Sequence, residues 1–282
     1  MVMAEIFKNI WSENTGIDRV KYTFTALIWQ LRKRLKQRFV KKIHTGGVVS
    51  VRPFSAYSPI FYFKWSEANE LKFIRKHSWM SAVFVDVGAN VGLFSLHLID
   101  CFKDFYLFEP TPSTFKALKE TCDLNKSVNW NLFNIGASNT KDTLTFIDEG
   151  ELSGTNRFCN EANQVITHGN KISIDVDTLD NLIPKNIDSM VLKVDVEGFE
   201  EKVFEGSHNL FSQKKVKLVM FERLGRTNLQ NIKSFFKKHD YVIFSVISDN
   251  SISIDEQVIS KPLINLFALP AENFSGLQYK LV

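Results

Sequence analysis

The sequence is short of several things, and each shortage excludes something. Its three cysteines, Cys101, Cys122 and Cys159, are too few and too scattered for a disulfide framework or a zinc site, which points to a reducing compartment. No apolar run reaches the roughly 18 residues that a spanning helix needs. The start, Met1-Val-Met-Ala-Glu-Ile-Phe-Lys8, lacks the basic leader, apolar stretch and small-residue cleavage site of an export signal, so a cytoplasmic location is expected. There is no internal repeat and no low-complexity linker. Acid is missing from one long stretch: between Arg19 and Ser66 there is no acidic residue and there are eleven basic ones. The formal charge of +4 therefore hides a body with 24 basic against 31 acidic residues, a balance of −7. Such a split argues against a uniformly basic nucleic-acid binder, and no nucleic-acid partner is expected.

What is present is 282 residues, 44% of them apolar, enough for one large domain with an appendage and too few for two catalytic domains. Three stretches stand out: a basic arm over 1–47, an aromatic-rich lead-in over 48–80 and an α/β body over 81–282. In the arm, Phe24, Leu27, Ile28, Leu31, Leu35 and Phe39 recur at spacings of three and four, predicting an amphipathic helix over 20–43 with cations crowding its second half. Two readings stay open for it. The stripe meets an anionic membrane surface, or it packs on the protein's own core or on a second copy as a homo-oligomer. In the lead-in, Val48 to Trp65 predicts a short β pair and Glu67 to His77 a helix. Tyr57 and Phe61 to Trp65 are expected to be ordinary packing rather than a sugar-stacking platform.

From Ala82 onward, strand and helix patterns alternate. The last two strand-like runs, Tyr241 to Ile247 and Leu263 to Leu269, have no helix pattern between them, so a mostly parallel sheet ending in an antiparallel hairpin is predicted. Ligands of open α/β sheets bind at the carboxyl ends of strands. Four of the five such ends here are acidic: Asp86-Val-Gly-Ala-Asn-Val-Gly92, Glu109, Asp195-Val-Glu197 and Glu222, the fifth being Asn134-Ile-Gly-Ala-Ser138. Gly88 and Gly92 suit a tight strand-to-helix turn. Glu109, at the next strand end, suits a carboxylate that accepts both hydroxyls of a ribose. Asn90 stands where a diphosphate-binding loop needs glycine, so a ligand without a pyrophosphate is favoured. Alternation puts Lys193, Asp195 and Glu197 on one face of a strand, where charges must be paired, desolvated at a cost or used.

These stretches, Phe84-Val-Asp-Val-Gly-Ala-Asn-Val-Gly-Leu-Phe-Ser95, Phe108-Glu-Pro110, Asn134 to Ser138, Thr178-Leu-Asp180 and Leu192-Lys-Val-Asp-Val-Glu-Gly-Phe-Glu200, resemble the FkbM family of S-adenosylmethionine-dependent methyltransferases. The likeness runs from about Glu67 to Glu222. It implies a class I methyltransferase fold, Rossmann-like, with a seven-stranded sheet, and methyl transfer from S-adenosyl-L-methionine, commonly to a hydroxyl of a sugar, glycolipid, polysaccharide or related natural product. It further implies that Asp86, Gly88, Asn90, Gly92 and Glu109 serve the cofactor and that Asn134, Gly136 and Ala137 line its adenine side. Asp195 and Glu197 would stand beside the transferred methyl, with a small-molecule or glycan acceptor beyond them. The arm has no counterpart in the resemblance.

Methyl transfer from a sulfonium is an in-line displacement, so alignment and a base that takes the acceptor's proton carry most of the work. Glu197 or Asp195 is the candidate base. With Glu222 the two could hold a divalent cation, but the metal-free arrangement is preferred. His168 is a rival base, in an aperiodic stretch, Glu151 to Asn170, that reads as a lid. Two other classes compete: a nicotinamide-dependent oxidoreductase, disfavoured by Asn90, and a silent membrane-tethered binding protein, disfavoured by the intact glycine loop.

Overall fold

The computed structural model describes residues 2–148, 157–158, 170–225, 227–262 and 264–282. Helices α1 (Val2–Glu13) and α2 (Ile17–Arg34) precede an antiparallel hairpin of Phe39–Lys42 with Val48–Val51. Helix α2 thus stops well short of 43, and Phe39 belongs to a strand. The stop is made by Lys36 in the left-handed region (φ 53°), with the Gln37 N–H donating to the Arg32 carbonyl at 3.0 Å. A glycine usually occupies that position, and its absence left the stop unmarked.

The face that α2 buries is not the apolar stripe. Tyr22, Ala26 and Trp29 face inward, Ala26 and Trp29 completely, while Phe24, Leu27, Ile28, Leu31 and Leu35 are exposed. Packing on the protein's own core is therefore overturned for the helical part of that stripe, and only Phe39, on its strand, meets the core beside Trp29 and Phe61. Trp29 stacks on Phe61 at 4.5 Å with the rings 2° from parallel, and its Nε1 donates to Ser58 Oγ at 3.1 Å. Ile10 of α1 packs against Tyr22 and Ala26. Tyr57 and Phe61 are core residues, as expected of packing aromatics.

The lead-in continues with the one-turn helix α3 (Pro59–Tyr62) and with α4 (Ala68–Lys76). The body then lays down β1 (Val83–Val87), α5 (Leu93–His97), β2 (Asp104–Phe108), α6 (Pro112–Asp123), β3 (Asn129–Phe133), β4 (Met190–Val194), β5 (Val216–Arg223), β6 (Tyr241–Ser248) and β7 (Ile264–Pro270). In the sheet they run in the order 3-2-1-4-5-7-6, followed at that edge by the short strands Ser251–Ser253 and Lys280–Leu281. Strands β1 to β5 pair parallel; β7 is antiparallel to both β5 and β6. The antiparallel end is as predicted, but the link from β6 to β7 carries a strand and the one-turn helix Glu256–Ile259 where no helix was expected.

Asp142–Asp148 and Asn170–Asp177 lie in a separate four-stranded sheet with Gly136–Ala137 and Arg157–Phe158. Most of Glu151 to Asn170, with His168 and Cys159, lies outside the described residues. Strands β1, β4 and β5 are buried on both faces, the apolar residues of one side packing on the helix Leu229–Lys238 and those of the other on α4. Cys101 and Cys122 are free thiols. Among the described residues no helix is long and apolar enough to cross a membrane.

Replacing Trp29 with Ala removes a fully buried indole, its stacking partner and one hydrogen bond, so a loss of about 3–5 kcal/mol is expected in the docking of α1 and α2. Hydrogen exchange should show the amides of both helices losing protection ahead of the sheet; unchanged protection would contradict this account of the anchor.

Candidate active site

The site begins with a residue that has no side chain. Gly88 ends β1 at φ 79°, and a Cβ there would lie 1.9 Å from the Asp195 carbonyl oxygen, so only glycine lets the loops after β1 and β4 approach. The N–H groups of Gly88 and Ala89 both donate to the Phe108 carbonyl at 3.0 Å, binding the loop to the end of β2. Asn90 is left-handed (φ 50°), and its N–H donates to Glu109 Oε2 at 3.1 Å. Glu109 Oε1 accepts the Thr111 N–H at 2.9 Å. Burial pushes the Glu109 carboxyl up to about 7, against the pull of those two hydrogen bonds. Gly92 allows α6 to close in, since a Cβ would meet Leu118 Cδ1 at 2.8 Å.

Between these groups lies an open cavity, lined among others by Gly88, Asn90, Glu109, Gly136, Ala137 and Asp195. Most of the expected residues therefore converge. Asp86, Gly92, Asn134 and Glu222 do not line it. Asn134 is exposed and its Nδ2 donates to the carbonyls of Glu109 (2.8 Å) and Pro110 (2.9 Å), so it braces the turn that carries Glu109 while Ile135, Gly136 and Ala137 form the wall.

Asp86 sits beneath the loop, fully buried, accepting from Ser95 Oγ at 2.7 Å and from Lys193 Nζ at 3.1 Å. Lys193 also pairs with Asp195 at 3.3 Å. Burial alone would lower the Lys193 ammonium, but Asp86 and Asp195 outweigh it and raise it above the ordinary lysine range. Strand β4 ends at Val194, so Asp195 and Glu197 stand on the turn beyond it rather than on one strand face. Glu197 is left-handed there (φ 55°). One carboxylate oxygen each from Asp195, Glu197 and Glu222 lie within 4.8 Å of one another, near enough to share a cation or a proton. Burial first, then Asp195 and Glu197, push Glu222 up to about 8.

Two residues escaped the sequence reading. Glu200, completely buried, accepts the N–H groups of Val196 (3.4 Å) and Gly198 (2.9 Å) and the Thr227 hydroxyl (3.2 Å), and so shapes the turn carrying Glu197. Its only signal was its place at the end of the Asp-Val-Glu-Gly-Phe-Glu run. Glu67, left-handed at φ 54°, lines a second cavity together with Pro59, Ile60, His97 and Lys193. Gly88, Asn90 and Asp195 border both cavities. The crowded walls raise the Glu67 carboxyl, although solvent reaches it through the mouth. No pattern could have linked a charged residue before α4 to a strand end more than a hundred positions away.

A parallel sheet in the order 3-2-1-4-5-7-6 with β7 reversed, and a ligand cavity over the ends of β1, β2 and β4, define a class I methyltransferase. The family model described as the methyltransferase FkbM domain matches residues 86–243, more than half of the chain, and the chain belongs to that family. No curated protein matches it. Among solved structures it is similar to precorrin-6y C5,15-methyltransferase from Geobacter metallireducens (10% identity, 72% of this chain and 87% of that one, TM-score 0.38). It is similar also to an rRNA methylase from Streptococcus thermophilus (8%, 72% and 94%, 0.39) and to the T. thermophilus 16S rRNA N2 G1207 methyltransferase in complex with AdoMet and guanosine (10%, 83% and 50%, 0.40).

Lys193→Met should cost about 3–5 kcal/mol in urea unfolding, because it leaves Asp86 buried without a counter-charge, and adding Asp86→Asn should recover part of the loss. Glu222 gives a pH test. The folded protein holds its proton more tightly than the unfolded chain, so its contribution is complete below the unfolded carboxyl value of 4.5 and is lost as pH rises through about 8. Melting temperatures of Glu222→Gln should match wild type near pH 5 and exceed it at pH 8; a constant difference would place the proton elsewhere.

Proposed function

We propose that the enzyme transfers the methyl group of S-adenosyl-L-methionine to a hydroxyl of a small-molecule or glycan acceptor. The observation that carries this reading is one continuous cavity running from the buried Glu109 carboxylate, past Gly88 and Asn90, to Asp195 and Glu197. The cofactor's parts suit that lining. Glu109 has oxygens for two ribose hydroxyls, Gly136 and Ala137 leave a flat wall for a purine, and Asp86 holds the loop from below through Lys193 and Ser95. When bound, S-adenosylmethionine would supply the electrophilic methyl, leaving as a neutral thioether.

The chain's own groups do the rest. Glu197 is the candidate base that takes the hydroxyl proton as oxygen bonds to the methyl carbon, with Asp195 orienting the acceptor and Glu222 holding a shared proton. The acidic mouth supports an uncharged or cationic acceptor over RNA, whose phosphates it would repel. Free thiols at Cys101 and Cys122 fit work in a reducing, cytoplasmic setting.

The test is a thermal-shift titration: S-adenosylmethionine should raise the melting temperature and a nicotinamide dinucleotide should not. Glu109→Ala should weaken cofactor binding by about 100-fold, the loss of two charge-assisted hydrogen bonds. Glu197→Gln should keep that binding and lose about 10²–10⁴-fold in turnover of a methylated product followed by mass spectrometry. Normal turnover by the Gln variant would remove Glu197 as the base.

A further inference from the structure

Among the described residues fifteen large apolar side chains are exposed, and seven of them lie on the single turn-by-turn stripe from Ile17 to Leu35. On a helix Val20, Phe24, Leu27, Ile28 and Leu31 share one face at spacings of three and four, and that face points away from the one holding Tyr22, Ala26 and Trp29. The helix is thus fixed by one side and apolar on the other. A monomer gains nothing by displaying such a stripe to water.

Cations flank it on both sides. At 100° per residue Lys21 and Arg32 fall along one border of the stripe and Arg34 along the other, with Lys36 and Arg38 just beyond the helix end. No acidic residue occurs from Arg19 to Ser66, and among the described residues Lys21, Arg34 and Lys36 have no carboxylate within ion-pair distance. The cations press on one another: burial first, then Lys21 and Arg32, lower the ammonium of Lys41. The body relieves only part of this stretch, through Glu120, which pairs with Arg52 and faces Arg38.

We propose that α2 docks on an anionic membrane surface, lying in the plane of the bilayer with its apolar stripe among the acyl chains and its flanking cations at the headgroups. An apolar stripe alone would suit a second copy of the chain equally well. An apolar stripe bordered by unpaired cations on both sides does not, because a two-fold pairing of like helices would bring positive borders together. Anionic lipid satisfies both features at once. Docking would also bring one cavity to the bilayer, since α2 packs on α3, whose Pro59 and Ile60 line the space shared with Glu67 and Asp195.

The experiment is co-sedimentation of the full chain with vesicles. Phosphatidylcholine vesicles containing phosphatidylglycerol should carry the protein down, and vesicles of phosphatidylcholine alone should not. The double variant Arg34→Gln/Lys36→Gln should weaken binding by roughly 25-fold, about five-fold per cation. Leu27→Glu/Leu31→Glu, at exposed positions that leave the fold and the melting temperature unchanged, should abolish it. Absence of binding by wild type to the anionic vesicles overturns the proposal. So does a wild-type dimer in sedimentation equilibrium that Leu27→Glu/Leu31→Glu converts to monomer, which would assign the stripe to a second copy.

Discussion

The mouth of the sheet depends on how two strand ends tolerate each other. The loop after β1 and the turn after β4 come together until the Gly88 Cα touches the Asp195 carbonyl, a contact no other residue could make. Beneath them Lys193 of β4 reaches across to Asp86 on β1 and also pairs with Asp195 on the turn that follows its own strand. A lysine buried so deeply is costly unless it is surrounded by acceptors, and here Asp86, Asp195 and the Gly88 carbonyl supply them. The Ser95 hydroxyl fixes the second oxygen of Asp86. One network thus sets the height of the glycine loop, the position of Asp195 and the start of α5 together.

That dependence separates the residues that carry the site from those that touch a ligand. Asp86 and Lys193 hold the floor and never reach the open part of the first cavity; Asn134 and Glu200 do the same for the turns bearing Glu109 and Glu197. Glu200 deserves its place beside them because Glu197 and Gly198 both have positive φ, at 55° and 95°, a turn that a non-glycine residue holds only when its neighbours dictate it. The buried Glu200 carboxylate, taking two backbone N–H groups from that turn, is the neighbour that does so.

The buried strands and the glycine turn were legible because their signals are local. Phe84 to Val87 is a continuous apolar run broken by one aspartate, and the acidic strand ends follow from alternation and turn residues. What stayed hidden is non-local or lacks a glycine. Helix α2 ends on a left-handed lysine, so the spacing that continues to Phe39 mimicked more helix. The hairpin that replaces it depends on Gly46 and on the Ile43 N–H reaching the Gly47 carbonyl at 2.8 Å. The stripe was visible as a stripe, but periodicity cannot say which of two faces a helix buries. Trp29, standing off the stripe beside the cations, turned out to be the anchor because Phe61 and Ser58, thirty residues on, form its pocket.

The three carboxylates at the mouth pose a last electrostatic question. Asp195 already shares Lys193, whereas Glu222 has a buried oxygen, Oε2, without a hydrogen-bond partner among the described residues, and burial and its two neighbours push its carboxyl up. Burial and those two neighbours thus favour the protonated form of Glu222 near neutral pH. A cationic sulfonium in the adjoining cavity would favour a second negative charge there, and its conversion to a neutral thioether would withdraw that support. The proton released by an acceptor hydroxyl would then arrive at a cluster that has just lost its counter-charge. On the proposed reading, loss of the sulfonium charge and uptake of the acceptor's proton would be coupled through the carboxylates that meet there.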